Sequence, residues 1–209
     1  MPYSTVRSLA LLAIASLGTL CHAAVIDFDN LTGPVALTSQ YASQGVIFSE
    51  IEATAQFATS VVTVSSPNYA TPFYSNTDPG ALWFTDPNDS SIEAYVTSVS
   101  ITLNGYNNVG GWFDGATIEA LDPGGSVIAG QTQTIPPTTG TNYGSSTITF
   151  TGDIHELVFN NILTSNGDLG IFPFDNLTFG AVTDVPEPST WLLALLGAWM
   201  ILGCGRRRK

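Results

Sequence analysis

A chain of 209 residues with 17 acidic against five basic side chains carries a formal charge of −12 at neutral pH. Every acid lies within residues 24–187, whereas the basic residues are Arg7, Arg206, Arg207, Arg208 and Lys209, so the segment between them has no permanent positive charge. That composition excludes nucleic acid as a partner, because phosphates cannot be neutralised, and it excludes a basic clamp on an anionic substrate.

From the N-terminus, Arg7 precedes an apolar stretch over residues 9–20, and Cys21-His22-Ala23 puts small residues where a signal peptidase reads. Residues 1–23 are therefore expected to be a secretory signal cut between Ala23 and Ala24. An acylated Cys21 is the competing reading, but Leu20 stands where a small residue is needed. Cys21 leaves with the signal and Cys204 lies in the tail, so the exported domain has no cysteine and its core must hold without disulfides.

About 160 residues remain, enough for one domain with a substantial core. Short apolar runs broken by Gly, Thr, Ser and Pro, with no helical period sustained over three turns, predict an all-β domain over residues 24–184. In chain order the predicted strands are 24–29, 45–49, 56–64, 81–85, 94–103, 111–113, 117–121, 127–131, 145–151, 154–160 and 171–180. Val99, Ile101 and Leu103 alternate with Ser98, Ser100 and Thr102, as a sheet with one buried face requires. Asn104-Gly105, Asp114-Gly115, Asp122-Pro123-Gly124-Gly125 and Asn166-Gly167 supply the positive-φ positions of hairpins. Two stacked antiparallel sheets follow, with residues 135–145 as a long polar loop. No fixed-period repeat supports a propeller or a β-helix.

Residues 185–209 have a different plan. Pro186-Glu187-Pro188 is followed by an apolar run over residues 191–204 and then by Arg206, Arg207, Arg208 and Lys209. A span of the bilayer core takes roughly 20 apolar residues at about 1.5 Å each, so this membrane helix, placed at about 190–205, is short. The basic residues can snorkel to the headgroups and act as a membrane stop, and Trp191 and Trp199 suit the interfaces. The positive-inside rule keeps the basic end cytoplasmic and the domain outside.

These three parts, in this order, resemble the PEP-CTERM sorting signal, with Pro186, Glu187 and Pro188 matching its core motif. The resemblance implies an exosortase-type membrane protease as partner. It also implies export in a Gram-negative, polysaccharide-producing bacterium, first held in the inner membrane facing the periplasm and then at the cell surface or in the extracellular matrix. The domain is similar to jelly-roll β-sandwiches of the carbohydrate-binding type through Ile26-Asp27-Phe28-Asp29, Gly45-Val46-Ile47-Phe48 and Phe174-Asp175-Asn176-Leu177-Thr178-Phe179. That resemblance implies that the first and last strands pair, and that Asp27, Asp29 and Asp175 hold a structural calcium, an ion that takes six to eight oxygens.

Enzyme signatures fail. His155-Glu156 has no second histidine four residues on, no G-x-S-x-G elbow occurs, and residues 24–184 contain neither cysteine nor lysine. The expectation is a protein that is not an enzyme. Seventeen acids would supply carboxylate pairs for a glycosidase by abundance alone. Aromatic residues point instead to polysaccharide, with Trp83, Trp112 and Tyr143 as candidates for stacking on sugar rings, set against plain core filling. A display or matrix module without a specific ligand is the other reading. The row Thr147-x-Thr149-x-Thr151 brings ice recognition to mind, but one threonine row without a repeat falls short of the flat array that function needs.

Overall fold

Alternation of apolar and hydroxyl side chains becomes strand along most of the domain. A computed structural model describes residues 24–32, 34–54, 61–62, 68–72, 79–103, 105–106, 116–135, 146–160 and 173–185. They form β1 (Ala24–Ile26), β2 (Val35–Leu37), β3 (Val46–Ser49), β4 (Ile51–Thr54), β5 (Val61–Val62), β6 (Tyr69–Pro72), β7 (Gly80–Asp86) and β8 (Asp89–Leu103). After these come β9 (Gly105–Tyr106), β10 (Ala116–Leu121), β11 (Val127–Ile135), β12 (Ser146–Ile154), β13 (Glu156–Asn160), β14 (Phe174–Phe179) and β15 (Thr183–Asp184). The secretory signal, the strand at 111–113, most of the strand at 56–64, the loop at 136–145 and the motif, membrane helix and basic stop of 186–209 lie outside the described residues. Among the described residues no helix is long and apolar enough to cross a membrane.

The all-β, antiparallel expectation holds. One layer follows the order β12-β8-β14-β6-β4-β2, with β1 also on β14. The other is β11-β10-β13-β7-β3. The β7–β8 hairpin joins the two, pairing Thr85 with Glu93 and Asp86 with Asp89. The first strand lies against the last long one, Ala24 opposite Phe179, as the sandwich resemblance implied.

Five strands escaped sequence reading, β2, β4, β6, β9 and β15. Each has two to four residues, too few to establish a period of two, and what makes them strands is the neighbour each one pairs with. Val35 faces Ala53, and Ala53 in turn faces Ala70. Elsewhere the predicted break at 152–153 moves to His155. The strand runs on to Ile154 through a register shift after Thr151. His155 then spans the layer, its N–H on Leu121 O at 2.8 Å and its carbonyl accepting Phe84 N–H at 2.8 Å.

The core lies between the layers. Val99 and Ile101 point inward as expected, and Ile118 and Ala120 of β10 meet them from the other side, all fully buried. Aromatic rings bridge the gap. Phe84 of β7 packs on Phe179 of β14 with centroids 5.2 Å apart, and Phe159 of β13 stacks on Phe174 of β14, also at 5.2 Å and 11° from parallel. Phe28 closes one end with edge contacts to Tyr41 and Phe174, each at 5.8 Å. Burying each such side chain stabilises the fold by about 1.5–3 kcal/mol.

Two glycines mark opposite situations. Gly125 turns the β10–β11 hairpin at φ 75°, and a Cβ there would meet nothing within 4 Å. The turn is held by Asp122, whose Oδ1 accepts the N–H groups of Gly124 and Ser126 at 2.9 Å each. Gly45 ends the 3-10 turn Ala42–Gln44 at φ 85°, where a Cβ would come within 2.7 Å of Val182 Cγ2 and 3.0 Å of Thr85 O. Gly125→Ala is expected to cost only the left-handed backbone term of about 1–2 kcal/mol. Gly45→Ala adds overpacking of about 1–3 kcal/mol, and urea unfolding of the two variants should separate them in that order.

Candidate functional site

The second layer turns its outer face to solvent, and strand register assembles a row across it. Leu82 and Phe84 point into the core from β7, so Trp83 between them points out and is half-buried. Ile47 of β3 lies opposite Trp83 on one side and Glu156 of β13 on the other. Glu156 in turn faces Leu121 of β10, and Leu121 faces Val127 of β11. The row Ile47–Trp83–Glu156–Leu121–Val127 crosses five strands, about 19 Å at a strand spacing of about 4.8 Å. A second row beside it is Ser49–Ala81–Val158–Glu119–Thr132.

Polar groups on this face are ordered. Asn160 Nδ2 donates to Glu119 Oε2 at 2.7 Å, which fixes that carboxylate and leaves its other oxygen to accept from a ligand. Glu156 is half-buried, and loss of water raises its carboxyl above the usual carboxylate range, with the charge of His155 pulling partly the other way. An indole face beside ordered acceptors and apolar flanks suits a ring whose faces are apolar and whose edge carries hydroxyls. Of the three aromatic candidates the structure places only Trp83 here; Trp112 and Tyr143 lie outside the described residues. Glu119, Glu156, Asn160, Ile47 and Leu121 were missed by sequence reasoning. Alternation along β10 and β13 marks them as outward, but nothing local says that those strands flank Trp83.

The acids proposed for calcium are found at the seam where β14 changes partner from β1 to β6. Asp27 Oδ1 accepts Asp29 N–H at 3.3 Å and Asp29 Oδ1 accepts Asn68 N–H at 3.0 Å. Asn68 Nδ2 donates to the carbonyls of Phe28 and Leu31 at 3.0 and 2.8 Å. Asp175 is fully buried and its Oδ1 accepts Asn176 N–H at 2.7 Å. Phe28 and Asn176 both sit at positive φ, 60° and 48°, so side-chain caps secure a kinked seam. Burial, and then the charges of Asp27 and Asp29, push Tyr41 up to about 12, keeping its hydroxyl protonated as donor to Asn30 Oδ1 at 2.6 Å. Asn68 Oδ1 is buried with no hydrogen-bond partner, which by itself would suit a cation. Yet among the described residues no group of three or more His, Cys, Asp or Glu is placed to hold a metal ion. In the structure each of the three aspartates accepts a backbone N–H.

On the outer face of the first layer, the threonine row bonds to its neighbour strand. Thr149 and Ser100 hydroxyls lie 2.8 Å apart, and those of Thr147 and Thr102 3.1 Å apart. His155 is held by structure as well, its Nδ1 donating to Ala94 O at 2.7 Å.

Residues 184–209 match the model of the PEP-CTERM protein-sorting motif, so the tail carries the sorting signal of an exported protein. No curated protein matches the chain. Among solved structures, the arabinose-bound MgGH51 α-L-arabinofuranosidase is similar at 15% identity and a TM-score of 0.40, over 74% of this chain and 25% of that one. The chain thus spans about a quarter of that structure, and a likeness this low carries no argument about activity.

The electrostatics of Glu156 have a definite sign. A carboxyl whose folded pKa is raised stabilises the fold below its unfolded value and loses that contribution as pH rises through the folded one. Glu156→Gln should therefore raise the urea midpoint more at pH 7 than at pH 4. The difference should stay under about 1 kcal/mol, because solvent screens a half-exposed group.

Proposed function

We propose that this is an exported surface or matrix protein whose tail is processed by an exosortase-type membrane protease, and whose jelly-roll-like sandwich binds neutral extracellular polysaccharide on the Trp83 face. Trp83, partly exposed on an ordered outer face, is the observation that carries the binding reading, since a display module would have its aromatics in the core. Pairing of β1 with β14 supports the jelly-roll comparison. Charge supports neutrality of the ligand. No Lys or Arg occurs within residues 24–185, so a uronate or sulfate would meet Glu119 and Glu156 without a compensating cation. In this reading the site binds and does no chemistry; the sequence offers no nucleophile with a base, and His155 is committed to the Ala94 carbonyl.

Trp83→Ala should weaken retention on neutral polysaccharide about tenfold, the scale of one lost stacking contact of about 1.5 kcal/mol, with urea unfolding checking that the variant is folded under the binding conditions. Glycan arrays and affinity electrophoresis of the domain measure this. Preference for uronic-acid polymers, or equal retention by the variant, would overturn it. For the tail, replacing Pro186, Glu187 and Pro188 with alanine should leave a longer, membrane-retained product, whereas a surface-released wild-type protein still ending in Lys209 by intact mass would rule processing out.

A further inference from the structure

The acids of this chain leave one region untouched. Residues 94–113 and 123–152 contain no Asp, Glu, Lys, Arg or His, and they supply the second half of β8, all of β11 and most of β12. β12 lies beside β8 at the margin of the first layer, and β11 is the margin of the second. An otherwise acidic domain therefore has neighbouring sheet edges without charge, although charged side chains are a common guard of exposed edges.

Other edges among the described residues are short, bent or occupied. β1 and β2 have three residues each, and Gln40 Nε2 donates to Ala36 O of β2 at 2.9 Å. β3 gives its Phe48 N–H to Thr38 O at 2.8 Å. β11 is interrupted by Gly130 at φ 75°, beside a register shift between Glu119 and Leu121 of its partner strand. β12 differs, with nine residues that stay in register with β8 from Ser146 to Thr151. Its hydroxyl pairs Thr149–Ser100 and Thr147–Thr102, at 2.8 and 3.1 Å, mark the positions where side chains of an antiparallel ladder approach and backbone groups turn away from the partner strand. Thr151 has the same direction, its N–H going outward to Gln131 Oε1 of β11 at 2.8 Å. By that alternation the N–H and C=O groups of Thr147 and Thr149 also point outward, and no described residue takes them. Beyond Thr151 the edge closes, since a Cβ on Gly152 would lie 3.3 Å from Ile128 Cγ2 of β11.

We propose that β12 is a self-association edge, pairing antiparallel with β12 of a second copy of this chain about a twofold axis at Ile148. In that register Thr147 of one copy faces Thr149 of the other, and the two residues exchange both N–H···O=C bonds; the symmetric pair does the same. Charge and symmetry favour a second copy over a foreign strand. A copy approaching elsewhere sets one acidic surface against another with no Lys or Arg to compensate, whereas here two charge-free edges meet. An isologous contact of this kind closes at two copies. Gln131 and Ile128 limit the pairing to the stretch around Ile148. Trp83 stands on the other layer, so two copies joined this way carry two such faces.

Introduced cysteines read the register, because residues 24–185 have none of their own. In the chain carrying Cys204→Ser, purified with its tail in detergent, a mixture of the Thr147→Cys and Thr149→Cys variants should form disulfide-linked dimers about tenfold faster than either variant alone. Residues of a hydrogen-bonded antiparallel pair have Cα atoms about 5.5 Å apart, within disulfide reach, whereas like residues in this register are diagonal neighbours about 7–8 Å apart. Thr149→Pro removes an outward donor and none of the β8 ladder. In sedimentation across a concentration series it should raise the concentration of half-dimerisation about tenfold, the scale of two lost backbone hydrogen bonds, with unchanged amide exchange at Ile118 reporting an intact core. Mixed cysteine variants that link no faster than the single ones, a wild-type chain that stays monomeric throughout the series, or a dimer that Thr149→Pro leaves unchanged would each overturn the proposal. If the proline variant loses its core, the cysteine rates decide.

Discussion

Everything in this domain depends on ring packing between two antiparallel layers. The exported segment has no cysteine and no fixed cation, so neither disulfides nor lysine or arginine ion pairs can hold it. Phe84 on Phe179 and Phe159 on Phe174 connect β7 and β13 to β14 across the core. Those contacts also decide which side chains point out. With Leu82 and Phe84 fixed inward, Trp83 has only the solvent face available, and the candidate site is a by-product of core register.

An acidic domain without lysine or arginine needs other hydrogen-bond donors for its carboxylates, and backbone N–H groups supply them. Asp29 caps Asn68, Asp86 caps Asn88, Asp89 caps Ser91, Asp122 caps Gly124 and Ser126, and Asp175 caps Asn176. Each such bond fixes a turn or a seam. The same scarcity of cations makes the exceptions informative. Glu156 is raised by burial and Asp184 by burial together with Asp86. One lies on the Trp83 face and the other at the root of the sorting segment.

The two outer faces differ in what they leave available. On the first layer, hydroxyls of neighbouring strands bond each other, Ser100 to Thr149 and Thr102 to Thr147, and a face whose donors and acceptors are mutually engaged offers less to a ligand. On the second, an indole, ordered carboxylates and apolar flanks stand side by side. The sandwich is therefore chemically one-sided, with β15 and the tail leaving from the hairpin that joins the layers.

Local chemistry made much of this legible beforehand. Period-two alternation marked β8, β10 and β13, Asp122-Pro123-Gly124-Gly125 marked the β10–β11 hairpin, and Pro186-Glu187-Pro188 with its apolar and basic sequel marked the tail. Of the candidate site, only Trp83 could be named, because nothing in the local sequence says which strands flank it. The sequence by itself determined that the domain is built of strands, which faces of the longer ones are apolar and that the domain is sent outward, because those properties depend on a residue and its near neighbours. Only the tertiary structure decided that Ile47 and Glu156 flank Trp83 and that Glu119 lies in the row beside it, because strand pairing joins residues far apart in the chain through backbone hydrogen bonds that carry no side-chain signature.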